Sequence, residues 1–153
     1  MKRPLILFTS LLLLYSSATF ASSPAEPPQS AQVRKDVEAT LDLWREGRYD
    51  ELYHRVIESG GHTREYFVSH LAAAPRKPSC CWEKLQEVRV TGDDERRATL
   101  HGKFGFDTGS GAEFMTKGVK LEKDGGIWKM KMSEVLALSG AGKKMRGAKK
   151  SHH

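Results

Sequence analysis

The sequence predicts an α+β fold, in which N-terminal helices pack on a four-stranded antiparallel sheet. Between residues 31 and 74, apolar side chains recur every three or four positions, as on the buried face of a helix. From residue 81 onward they alternate with polar side chains instead, as in strands that bury one face. Helices and strands that are segregated along the chain in this way are typical of the α+β class.

The first 21 residues have the pattern of a secretory signal peptide. Lys2 and Arg3 precede the apolar run Leu5–Tyr15, and small or polar residues follow as far as Ala21. A bilayer span takes about 20 apolar residues, so this run is too short for one, although a retained anchor is the alternative interpretation. We therefore expect cleavage after Ala21, a secreted or periplasmic location and no membrane span in the mature chain.

Two further segments flank the predicted domain, which spans 31–138. Residues 22–30 hold three prolines and no large aliphatic side chain, which predicts an extended tether. Residues 139–153 form a predicted flexible, basic tail, with five of the 25 Lys and Arg residues of the chain. Without the leader and the tail the domain is close to neutral, so we expect no nucleic-acid partner.

The helical half predicts three helices. The first spans 31–46, and Ser30 is expected to cap its start while Gly47 ends it in a left-handed conformation. Its apolar face consists of Val33, Val37, Leu41 and Trp44. A second apolar stripe spans 49–57, and Thr63 is expected to cap a third helix that places Phe67 on its inner face.

The second half predicts four strands in an antiparallel meander. Turns are expected at 92–94, at 107–111 and at the Asp-Gly-Gly sequence 124–126, which is a strong hairpin signal. Phe104 and Phe106 fall on the apolar face of the second strand, whereas His101 falls on its polar face. The last strand is expected to continue through Met132. One face of the sheet is thus apolar and needs the helices to cover it.

Two stretches resemble the NTF2-like (cystatin-like α+β cone) superfamily. The sequence LWREGRYDELY at 43–53 resembles its helix–Gly–helix opening, and VKLEKDGGIWKM at 119–130 resembles its last hairpin. The resemblance covers roughly residues 32 to 138, and it implies a curved sheet that wraps a helix and leaves a pocket at the wide end of a cone. Some members are isomerases, dehydratases or cyclases with an Asp/His pair in that pocket, and many others only bind or dimerise. One departure is that we expect no early strand pair before Trp82.

General acid–base chemistry would need titratable groups that converge in a pocket. The candidates are Asp50, His70 and His101, but no spacing forces any two of them together. The histidines lie on different predicted elements, and no phosphate loop, dinucleotide fingerprint or Gly-x-Ser-x-Gly motif occurs. We therefore expect no catalytic set, no cofactor and no metal site.

Cys80 and Cys81 are neighbours in a chain that is predicted to be exported, where disulfides form. Adjacent Cα atoms are about 3.8 Å apart, below the usual minimum of about 4.4 Å for a disulfide. Three interpretations stay open: a vicinal disulfide of redox-sensitive character, a disulfide to a second copy, or two thiols.

The chain is also rich in aromatic residues that could line an apolar pocket. The set predicted to do so is Trp44, Tyr53, Phe67, Trp82, Phe104, Phe114 and Trp128. The sequence thus favours an exported, non-catalytic domain that binds a small apolar molecule or a protein partner. An isomerase- or hydrolase-type enzyme and a Cys-linked homodimer are the alternatives.

The leader prediction gives a direct test. Protein purified from the cell envelope should begin at Ser22, because a small residue at position 21 directs cleavage there. N-terminal sequencing and the intact mass measure this. An Ala21→Leu variant should accumulate as the uncleaved precursor, and a native protein that keeps residues 1–21 would contradict the prediction.

Overall fold

A computed structural model describes residues 27–92 and 94–141. The predicted leader, most of the tether and nearly all of the predicted tail lie outside these residues. The helices are α1 Pro28–Arg45, α2 Tyr49–His54, α3 Arg64–Ala72 and α4 Met132–Ser139. The strands are β1 Val56–Ile57, β2 Arg76–Pro78, β3 Leu85–Gly92, β4 Arg97–Thr108, β5 Gly111–Asp124 and β6 Ile127–Lys131. Among the described helices, none is both long and apolar enough to cross a membrane.

Helix α1 begins at Pro28, three residues before its predicted start, so the end of the predicted tether is helical. Proline fits the first turn of a helix because the N–H that it lacks would have no intrahelical partner there. The predicted cap at Ser30 is therefore wrong. The predicted end is confirmed, because Gly47 follows the helix at φ 74°, in the left-handed region. At α3 the predicted cap is also confirmed, since the Thr63 side chain accepts from the backbone N–H of Tyr66.

The sheet has six strands rather than four. The four long strands β3–β6 form the predicted meander, and two short strands precede Trp82, against our expectation. Strand β1 pairs with β6 in parallel, and β2 pairs with β4 in antiparallel fashion. The two short strands therefore extend the sheet without pairing with each other. The α+β class is confirmed, with helices on one side of a mostly antiparallel sheet.

The core lies between the helices and the inner face of the sheet. The alternation along β4 is as predicted, because Phe104 and Phe106 are buried and His101 is exposed. The rings of Trp44 and Phe106 lie 5.7 Å apart, which places α1 across the sheet. Met132 is buried as expected, but it begins α4 instead of ending a strand. Helix α4 then contributes further buried side chains to the same core.

One buried carboxylate ties α1 to the sheet. Asp36 is 5% exposed, and its Oδ2 accepts from the backbone N–H of Trp128 at 3.0 Å and from the Gln32 amide at 3.1 Å. Its Oδ1 accepts from the Arg55 guanidinium at 3.3 Å. Buried charges persist when they are paired and hydrogen-bonded in this way. Asp36 therefore fixes α1 against both the start of β6 and the end of α2.

An Asp36→Ala variant should lose about 2–4 kcal/mol of unfolding free energy, because the Trp128 N–H and Arg55 lose their buried acceptor. Urea denaturation followed by circular dichroism measures the loss. Glu38→Ala is the matched control on the same helix, since its ion pair with Arg34 is partly exposed. It should lose at most about 0.5 kcal/mol, and equal losses in the two variants would contradict the role of Asp36.

Candidate functional site

Four of the seven aromatic residues predicted to line a pocket lie in the closed core. Their side chains are at most 1% exposed, and they are Trp44, Phe67, Phe104 and Trp128. A side chain without accessible surface borders no void that admits a water molecule, so a ligand could touch this group only if the core opened. Tyr53 is partly buried, and its hydroxyl donates to the Glu58 carboxylate. This hydrogen bond raises the pKa of Tyr53.

The other two aromatic residues, Trp82 and Phe114, are exposed, and the strand register places Phe114 on the outer side of the sheet. Phe114 pairs with Gly105, and the neighbours of Gly105 on β4 point into the core, so Phe114 faces away from the helices. The exposed fractions are 71% for Trp82 and 45% for Phe114. The structure therefore divides the predicted set between opposite sides of the sheet.

Trp82 is carried by a short 3₁₀ turn, Cys81–Lys84, in a break between two strands. Strands β2 and β3 lie end to end along the same edge of β4, and the turn lies where one stops and the other begins. Before the turn, Ser79 donates its N–H to the Gly105 carbonyl at 2.9 Å. At its end, the Lys84 Nζ contacts both carboxylate oxygens of Asp42 at 2.6 and 2.7 Å. The turn is thus anchored to β4 on one side and to α1 on the other.

Cys80 and Cys81 are bonded to each other in the structure. In this state neither sulfur is available as a thiol or as a link to a second copy. The bond closes a small covalent ring immediately before Trp82, and Cys81 lies at φ 59°, where residues with a Cβ are uncommon. The indole of Trp82 is therefore presented from a constrained backbone. We call Cys80, Cys81, Trp82 and Phe114 together the aromatic ledge.

Gly105 lets the ledge lie close to the sheet. A Cβ on Gly105 would overlap the carbonyl oxygen of Glu83 in the 3₁₀ turn, and it would lie 3.1 Å from the Phe114 ring. Only glycine leaves room for this approach of one backbone to another. The Lys103 Nζ lies 4.9 Å from the centre of the Phe114 ring, a cation–π contact on the outer face. These contacts place the 3₁₀ turn and Phe114 on either side of one glycine.

The three acid–base candidates are not brought together. Asp50 forms an ion pair with Arg64 at 2.6 Å, and the ring of His70 stacks on Tyr66 at 3.7 Å. His101 lies on the outer face of the sheet, away from the helices. No hydrogen bond or ion pair in the described part of the chain joins any two of the three. Over the same residues, no group of three or more His, Cys, Asp or Glu side chains is placed to hold a metal ion.

No family model matches this chain, and no curated protein matches it. Among solved structures it is similar to a designed NTF2-like protein, Rd1NTF2_05, in a variant with five substitutions. The identity is 19% and the TM-score is 0.46, over 67% of this chain and 95% of that chain. The fold assignment rests on the described helices and sheet, which have the α+β arrangement that the resemblance implied.

Gly105→Ala should lower the free energy of unfolding by about 1–3 kcal/mol, because the new methyl group would displace the Glu83 carbonyl. Urea denaturation measures this loss, and acrylamide quenching of tryptophan fluorescence reports the displaced turn. The matched control is Gly109→Ala in the next turn, where an added Cβ meets nothing within 4 Å. Equal stability of the two variants would contradict the close approach of the 3₁₀ turn to Gly105.

Proposed function

We propose that this chain is an exported, non-catalytic binding domain that holds a protein partner against the aromatic ledge. One observation carries the proposal: Trp82 is 71% exposed on an anchored turn, and a second exposed aromatic residue, Phe114, lies across Gly105 from that turn. Tryptophan is among the residues that contribute most to protein interfaces, because its large apolar surface is buried on association. A partner that buried Trp82 would remove from water the largest apolar side chain that is exposed among the described residues.

The geometry favours a protein over a small apolar molecule. A small apolar ligand needs a concave site that encloses most of its surface. Trp44, Phe67, Phe104 and Trp128 are closed to such a ligand, and the ledge projects outward instead of enclosing a space. A protein can supply the concave surface that the ledge lacks. A second copy of this chain is one such partner.

The absence of catalysis and the export are parts of the same proposal. Asp50 and His70 make separate local contacts and His101 lies on the outer face of the sheet, so these three residues do not form the acid–base pair that the enzyme alternative requires. Export rests on the sequence of the leader. A disulfide between Cys80 and Cys81 fits an oxidising compartment, which supports the same location.

Site-specific photo-cross-linking tests the proposal. The photoreactive residue p-benzoyl-phenylalanine replaces Trp82 or Phe114 in the full chain, which is expressed in its own cells and irradiated. The matched control places it at Tyr66, an aromatic residue on α3 with 37% exposure. We expect discrete adducts from positions 82 and 114 and none from position 66. Mass spectrometry identifies the partner, and an adduct of two copies would identify a homodimer.

Affinity then separates a specific partner from a chance neighbour. With the identified partner, Trp82→Ala should weaken binding by about 30-fold, the usual cost of truncating a central interface tryptophan. Its circular dichroism spectrum should not change, because Trp82 lies outside the core. Equal adducts from positions 66 and 82, or unchanged affinity in the variant, would rule out the ledge as the binding surface.

A further inference from the structure

We propose that a cleft on the outer face of the sheet binds the oxyanion group of a small molecule, a phosphate or a carboxylate. The cleft has a volume of about 310 Å³ and lies beside an irregularity in β3. The side chains that carry the argument are Glu87, Arg89, Thr91, His101, Lys103 and Thr116. This site does not depend on the aromatic ledge or on a protein partner.

Strand register places the donors of the cleft on one face. Arg89 of β3 pairs with His101 of β4, and Lys103 of β4 pairs with Thr116 of β5. His101 and Lys103 are two residues apart on one strand, so their side chains project to the same side. Paired residues on neighbouring strands carry adjacent side chains. Two cations, an imidazole and a hydroxyl therefore converge over adjacent pairs of the sheet.

The charges of the cleft are not balanced internally. Arg89 has no hydrogen bond or ion pair with any described residue, although it has five N–H donors in a planar fork that matches an oxyanion. Lys103 lies 4.0 Å from the carboxylate of Glu87, at the outer limit of an ion pair. Among the described residues that line the cleft, Glu87 is the one acidic side chain. Without counting the imidazole, the cleft carries a net positive charge, and the described residues supply no acceptor for Arg89.

His101 is held against the sheet by the absence of a side chain opposite it. It pairs with Gly118, and a Cβ on Gly118 would lie 2.9 Å from both Cε1 and Nδ1 of the imidazole. Contacts that short essentially never occur, so any other residue at 118 would displace the ring. Gly118 thus leaves the space in which the imidazole lies across β5.

The backbone beside the cleft is irregular at the same place. The β3–β4 register shifts between Gln86 and Arg89, and Glu87 lies at φ 52°, in the left-handed region. A non-glycine residue there is uncommon, and such residues concentrate at ligand sites because the surrounding structure must hold them. β-Bulges likewise turn side chains toward binding and active sites. The irregularity supplies a second, independent observation for a site here.

Titration of the ¹⁵N-labelled mature chain tests the proposal by NMR, with sodium phosphate, sodium acetate and sodium chloride at constant ionic strength. We expect saturable amide shifts from phosphate or acetate at residues 89–91, 101–103 and 116–118, and none from chloride. The salt whose chemical shift changes saturate identifies the recognised group as phosphate or carboxylate. Non-saturable shifts, or equal shifts from chloride, would overturn the proposal.

Variants establish that the cleft, rather than the overall charge, holds the anion. Arg89→Gln should weaken binding about tenfold, the usual loss of a charge-assisted hydrogen bond. Lys120→Gln is the matched control, an exposed cation on the outer face outside the cleft. It should bind as the native chain does, and equal weakening in both would overturn the site. Thr116→Val supplies a second cleft variant that keeps the strand and removes one donor.

The outcome is separable from that of the proposed function. Trp82→Ala should bind phosphate or acetate with unchanged affinity, because Trp82 does not line the cleft. If Arg89→Gln loses anion binding while cross-linking at position 82 is intact, the cleft is supported independently of the protein partner. If cross-linking at position 82 fails while the native chain still binds the anion, the ledge is ruled out and the cleft is retained.

Discussion

The register of β4 is the constraint on which the rest of the structure depends. Strands β2, β3 and β5 all pair directly with it, so its alternation fixes the faces of most of the sheet. Phe104 and Phe106 meet the helices, whereas His101, Lys103 and Gly105 face outward. A slip of one residue would exchange these two sets and expose the core. The closed interior and both outer surfaces are therefore consequences of one pairing.

The divided edge of β4 explains why the outer side carries the distinctive features. Because β2 and β3 share that edge, the chain must turn between them, and the 3₁₀ turn lies over Gly105. This brings the turn that carries Trp82 over the sheet, on the face where Phe114 lies. A few residues further on, the register of β3 shifts before Arg89 and opens the cleft. Irregular pairing along one edge thus produces both candidate surfaces, while the regular pairing of β5 on the other edge supports them.

Local patterns in the sequence correctly predicted the structural features that depend only on neighbouring residues. The apolar face of α1, the cap at Thr63 and the Asp-Gly-Gly hairpin each depend on a few neighbouring residues, and the structure confirms them. Strands β1 and β2 have only two and three residues, too few for a period to show. Helix α4 has no side-chain cap, and Met132 continues the alternation of β6, so its start has no local signal. The break that carries Trp82 depends on pairing between distant segments, which spacing in the sequence does not encode.

Because the aromatic core is closed, the candidate binding surfaces lie on the outer face of the sheet. The inner positions of Trp44, Phe67 and Phe104 were predicted from helical spacing and strand alternation, but whether these residues enclose a cavity depends on how completely the helices fill the cone, which is a property of packing. On the outside, Lys103 is shared by the two candidate surfaces, since its ammonium contacts the Phe114 ring and lies at the edge of the cleft. The two candidate surfaces are therefore neighbours on the outer face, and each is set by its own backbone feature: the 3₁₀ turn over Gly105 for one, and the register shift before Arg89 for the other.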